Sequence, residues 1–94
     1  MDGIHEGHRA RMKKKLLENG ERSLADHELL EVLLYYAIPR RDTNELAHRL
    51  LKQFGSLQGV LSASVQELAC VQGVGQQAAL LISLAPILQR RAAQ

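Results

Sequence analysis

Apolar residues recur along this chain at three- and four-residue intervals, and no segment sustains the apolar–polar alternation that marks a half-buried strand. The pattern predicts an all-α fold. Residues 5–19 read as a first helix, with Met12, Leu16 and Leu17 on its apolar side and Gly20 where a helix commonly ends. A second helix starts at Asp26, a good N-cap, and runs to Ile38 with apolar residues nearly all round it, which predicts central burial; Pro39 stops it. Arg40, Arg41 and Asp42 form a polar connection. Thr43 is placed to cap a third helix ending at Phe54, in which Leu46, Leu50 and Phe54 repeat every four residues and Gly55 closes the run. A turn at Gly55-Ser56-Leu57 leads into a short helical stretch over 57–63. Ser64 and Glu67 have the spacing of a capping box, opening a helix over 65–71. A last helix covers Gln76 to Arg91; Pro86 inside it removes the donor that would pair with Ile82, so a kink or a fresh start is expected there.

With 94 residues, the chain is read as one domain over 1–94: a basic N-terminal helix (1–20), a buried helix (26–38) and a paired-hairpin region (43–91). The apolar fraction of 46% and charged fraction of 23% are those of a soluble globular protein, without a stretch able to span a membrane. The basic N-terminus has no apolar run behind it long enough for a signal peptide, which places the protein in the cytoplasm. Cys70, in the apolar context Leu-Ala-Cys-Val, reads as a small core residue. The formal net charge is only +2, so any argument for an anionic partner must come from where the cations sit. They cluster at the ends: Arg9, Arg11, Lys13, Lys14 and Lys15 in the first helix, Arg90 and Arg91 in the last, with Glu67 the one charged residue between Gln53 and Gln89.

The segment with the most chemistry is LACVQGVGQQAALLI. Two helices joined by Gly73-Val74-Gly75 need glycine because the chain reverses sharply with positive φ and lets its backbone approach a partner closely. Val74 is expected to point inward as a plug, and Ala79 to be small where the helices pack. The N–H groups of Val74, Gly75, Gln76 and Gln77 are expected unpaired at the start of the final helix, where donors and the positive dipole end suit a phosphate.

Leucine, spacer, Val71-x-Gly73-Val74-Gly75-x-x-x-Ala79 resembles the helix-hairpin-helix motif of DNA repair and recombination proteins. Upstream, Phe54-Gly55-Ser56-Leu57 resembles the degenerate first hairpin of a tandem arrangement. The resemblance implies a small multi-helix bundle of tandem helix-hairpin-helix (SAM/HhH-like) type, whose paired hairpins contact phosphates of both DNA strands across the minor groove without reading sequence. The order GHRARMKKKLLENG, then DHELLEVLLYYAIPRRDTNELAHRLLKQFGSL, then the hairpin segment, resembles the N-terminal domain of the bacterial RadC family over nearly the whole chain. That family pairs this region with a JAB/MPN-type metal-site domain carrying a His-x-His motif. No such segment occurs in these residues, so the expectation is a chain that lacks it.

The reading that follows is a non-catalytic accessory domain for double-stranded or branched DNA, linked to repair. Its backbone contacts come from Gly73, Val74, Gly75, Gln76 and Gln77, helped by Gly55, Ser56, Arg9, Lys13, Arg90 and Arg91. Gln76 and Gln77 stand where binding hairpins often carry Lys or Arg, so this hairpin offers amides without the counterion-release term of a cation. The alternative is a protein-interaction or dimerisation module that positions a separate JAB/MPN-type domain, favoured by the nearly uncharged stretch from Gln53 to Gln89. No cofactor, metal or membrane partner is expected. His27-Glu28-x-x-Glu31 lacks the second histidine of the zinc-protease motif, and His5 and His8 read as surface residues. Tyr35, Tyr36 and Phe54 fall in core-type patterns, which leaves no base-stacking platform.

Overall fold

The computed structural model describes residues 2–39 and 42–94; Arg40 and Arg41, read above as part of a solvated connection, lie outside the described residues. Six α-helices are present among them: α1 (Asp2–Asn19), α2 (Asp26–Tyr35), α3 (Thr43–Phe54), α4 (Leu57–Ser62), α5 (Val65–Ala69) and α6 (Gly75–Ala92), with a single 3-10 turn, Glu21–Ser23, after α1. The all-α expectation holds. No described helix is long and apolar enough to cross a membrane.

Helix α2 is the centre of the molecule because both of its faces carry large apolar side chains. Leu30 and Leu34 face the main core, built with Leu46, Ala47 and Leu50 of α3, Val60 of α4, Leu68 of α5, and Val74, Ala78, Ala79 and Ile82 around the start of α6. The opposite face gives Val32 and Tyr35 to a smaller cluster with Met12 of α1 and Leu24. Only part of the predicted apolar side of α1 is used: Met12 is buried and Leu16 half-buried, but Leu17 is 85% exposed. Met12 and Leu16 lie four residues apart on one face, whereas Leu17 is a further 100° around the helix.

Several expected boundaries shift by a residue or more, each for a local reason. Helix α2 is capped by Ala25 rather than Asp26; alanine has no acceptor, and the Glu28 carboxylate instead accepts from the Ala25 N–H at 2.8 Å. The helix ends at Tyr35 rather than Ile38, as Pro39 disfavours helical backbone in the residue before it. Asp42, not Thr43, caps α3, accepting from the Asn44 N–H at 3.0 Å. The capping box of Ser64 and Glu67 forms in both directions, at 2.8 and 3.0 Å. Helix α6 runs unbroken through Pro86, without the fresh start that proline suggested. Cys70 is exposed rather than part of the core, and Tyr36 is 70% exposed.

Tyr35 carries a consequence for pH. Its hydroxyl is buried, near the Glu31 carboxylate but in a geometry that makes no hydrogen bond. Burial first, and the negative charge of Glu31 second, push the phenol well above its usual range. The neutral form is thus favoured in the fold, so the contribution is intact below the unfolded value of about 10 and is lost as pH rises beyond it. Urea midpoints measured between about pH 8 and 11 should fall more steeply for wild type than for Tyr35→Phe. Parallel slopes would refute this assignment.

Candidate nucleic-acid interface

The Gly73–Gly75 turn joins α5 to α6 with φ of 95° at Gly73 and 69° at Gly75, the left-handed values that the sequence required of them. Val74 between them is 4% exposed and belongs to the main core, and Ala79 is fully buried, so both packing expectations hold. The Val74 N–H is not free: it donates to the Val71 carbonyl at 3.1 Å. The donor set is therefore Gly75, Gln76 and Gln77, the first turn of an 18-residue helix that has no side-chain cap. Their amides take no partner among the described residues, and the positive dipole end lies behind them.

Across from the turn, Ala37, Ile38 and Pro39 complete a cleft of about 420 Å³ with Gly73, Val74 and Gly75. This wall is held by α1. Arg9 donates to the carbonyls of Ile38 at 2.6 Å and Tyr35 at 3.3 Å, and its guanidinium lies 4.6 Å from the centre of the Tyr35 ring. Arg9 thus neutralises the carbonyl end of α2. Lys13 sits one turn further along α1, with Nζ 5.8 Å from the Tyr36 ring centre. The basic first helix and the glycine turn therefore meet through the Tyr35–Pro39 segment.

Other expected residues lie elsewhere. Arg90 and Arg91 are in the last turn of α6; at about 1.5 Å per residue, Arg90 is roughly 22 Å along the helix from Gly75 and cannot share one phosphate with it. Gly55 caps α3 with φ 87°, and Ser56 caps α4 by accepting from the Gly59 N–H at 3.0 Å, so that hydroxyl is engaged inside its own turn.

One residue was missed in the sequence. Arg49 of α3 donates to the Gln72 carbonyl at 2.7 Å and pairs with Glu45 at 2.7 Å, fixing the approach to the glycine turn and placing a cation beside it. Its spacing from Glu45 signals an ordinary helix-surface pair, and nothing local signals Gln72.

The histidines are absorbed by packing between helices. His27 of α2 stacks on His48 of α3 with ring centres 4.2 Å apart, and half-buried His8, expected at the surface, lies 3.3 Å from the Glu31 carboxylate. The side chain of His5 lies outside the described residues. Among the described residues no three His, Cys, Asp or Glu side chains are grouped to hold a metal.

Fold and turn define a small all-helical domain whose most differentiated surface is a glycine-gated helix start beside a cleft. The family model described as UPF0758 N-terminal matches residues 5–80, and the chain belongs to that family, the N-terminal region of RadC-type proteins. It is 40% identical over 80 residues to a UPF0758 protein of Fusobacterium nucleatum, covering 85% of this chain and 34% of that one. Identity to a UPF0758 protein of Ruegeria pomeroyi is 45% over 69 residues, 73% of this chain and 31% of the relative. A third, from Geobacillus sp., is 42% identical over 82 residues, 87% and 36% of the two chains. The chain thus spans about a third of the length of these relatives. No solved structure gives a significant match.

Proposed function

We propose that this domain is a non-catalytic, cytoplasmic docking module for the backbone of double-stranded or branched DNA, serving repair or recombination, with the Gly73–Gln77 turn acting as a helix-hairpin-helix. The observation that carries the reading is the donor set: three unpartnered amides at a glycine-gated helix start, of which Gly75 lines a cleft. Arg49 beside Gln72, and Arg9 and Lys13 behind the opposite wall, supply the positive surroundings that Gln76 and Gln77 do not. With few cations near the turn, binding is weak, sequence-independent and only moderately salt-dependent.

Fluorescence anisotropy with labelled duplex and forked DNA at about 50 and 200 mM salt tests it. Gln76→Glu/Gln77→Glu keeps the fold, since carboxylates suit a helix N-terminus, and should weaken binding at least about tenfold by repelling phosphate. Gly73→Glu/Gly75→Glu should do the same once circular dichroism establishes folding, and Arg90→Ala/Arg91→Ala should stay within about twofold of wild type if the turn is the site. No binding of wild type to either DNA at low salt would end this reading. A second reading, a protein-interaction or dimerisation module that positions a separate domain, draws support from the bare apolar face of α6.

A further inference from the structure

Helix α6 is apolar on two opposite faces. Ala78, Ala79, Ile82 and Ser83 are buried against the rest of the molecule, while Leu80, Leu84, Ile87 and Leu88 are 55%, 41%, 40% and 60% exposed. At 100° per residue these four form one stripe pointing directly away from the core. A helix that is hydrophobic all round belongs in an interior, and four large aliphatic side chains in one outward stripe mark a contact surface rather than scattered surface apolarity.

We infer that the occupant of this stripe is a second copy of the same chain, packed through α6 antiparallel to α6 about a two-fold axis at Leu84. The spacing argues for self-pairing. Gln77, Leu80, Leu84, Leu88 and Arg91 follow one another at intervals of three, four, four and three, so the series reads the same in both directions. An isologous contact requires that property: Leu84 meets Leu84 of the second copy, each Leu80 meets a Leu88, and each Gln77 meets an Arg91. Charge selects the direction. Helix α6 contains no acidic residue, so parallel pairing would bring the Arg90-Arg91 pairs of the two copies together, whereas antiparallel pairing sets each Arg91 beside a neutral amide oxygen that can accept from it.

Size sets the strength. Four half-exposed aliphatic side chains fall short of the roughly 800 Å² per partner of a standard stable interface, so the dimer assembles in the upper micromolar range and dissociates on dilution. The stripe adjoins the docking turn at Gln77, whose side chain belongs to the stripe while its N–H belongs to the donor set, but the aliphatic contact centred on Leu84 lies about three turns away and does not depend on DNA docking.

Sedimentation velocity on the whole 94-residue chain in a Cys70→Ser background, from about 10 to 500 µM, tests the proposal. The weight-average mass should climb from one chain toward two for wild type and stay at one for Leu84→Glu, whose thermal transition should match wild type because residue 84 is partly solvent-exposed in the monomer. For register, Leu84→Cys should crosslink to its counterpart on mild oxidation, at least about fivefold faster than Gln76→Cys, which the antiparallel register holds roughly 24 Å from its own counterpart. A monomer throughout the range, a dimer that survives Leu84→Glu, or equal crosslinking at 76 and 84 would each overturn it.

Discussion

Replacing Gly59 by alanine lowers the folding stability by about 3 kcal/mol, toward the upper end of what overpacking costs. A Cβ on Gly59 would stand 2.0 Å from the Phe54 carbonyl oxygen and 3.0 Å from its carbon. Both are backbone atoms at the end of α3, so no side-chain rotation relieves the clash and α4 must withdraw from α3 as a unit. That withdrawal drags Val60, which is fully buried, and strains the Ser56 hydroxyl that accepts from the Gly59 N–H. For a domain of this size the loss corresponds to a Tm lowered by roughly 12–24 °C. Gly55→Ala is the matched control. Gly55 is left-handed, with φ 87° and ψ −24°, and has nothing within 4 Å of an added Cβ, so the substitution costs conformational strain alone, about 1 kcal/mol. If calorimetry finds the two variants equally stable, the close approach of α3 and α4 is not what Gly59 provides.

Gly59 also marks the boundary of what the sequence could tell. Helix number, order and class were legible because they rest on periodicity and on short-range caps; the Ser64 and Glu67 box depends only on residues three apart and appears as expected. The glycine turn was legible for the same reason, down to positive φ at Gly73 and Gly75 and the inward Val74. What failed depends on contacts distant in sequence. Thr43 looked like a cap because threonine favours that position, but its hydroxyl has a tertiary acceptor in Glu31, and Asp42 takes the cap instead. Gly59, inside LQGVLSA, looked like any glycine in a short helix; only the position of Phe54 makes it obligatory. Cys70 sits among apolar neighbours in sequence yet faces out, since α5 is a single short helix with Leu68 as its buried side chain. Of the candidate site, the amide donors were readable, but Arg49 and the Ala37–Pro39 wall were not, because both reach the turn from other helices.

Glu31 is the most consequential of these long-range contacts, and its removal alone should cost about 2 kcal/mol. Its side chain is 2% exposed, and its carboxylate is the acceptor shared by Thr43 Oγ1 at 3.3 Å and Asn44 Nδ2 at 3.5 Å, with His8 Nε2 at 3.3 Å. One carboxylate therefore ties α1, α2 and α3 together. All three contacts are long, so they offset the desolvation of the carboxylate only in part, and the 43% exposure of His8 makes its share small. Glu31→Met keeps the volume but strands the Thr43 hydroxyl, which is 2% exposed with its residue and has no other acceptor among the described contacts. Thr43→Val takes from the buried carboxylate its one buried donor and leaves it the long contacts to Asn44 and His8. Each single variant leaves a buried polar group unpaired or under-satisfied, whereas the pair together removes both and leaves apolar surface of similar shape. Glu31→Met/Thr43→Val should therefore be about as stable as wild type, giving a coupling of about 2 kcal/mol or more in a double-mutant cycle from urea unfolding. A double variant that loses the sum of the two single losses would mean that Thr43 and Glu31 act independently, and that the seam between α2 and α3 is held by its apolar residues alone.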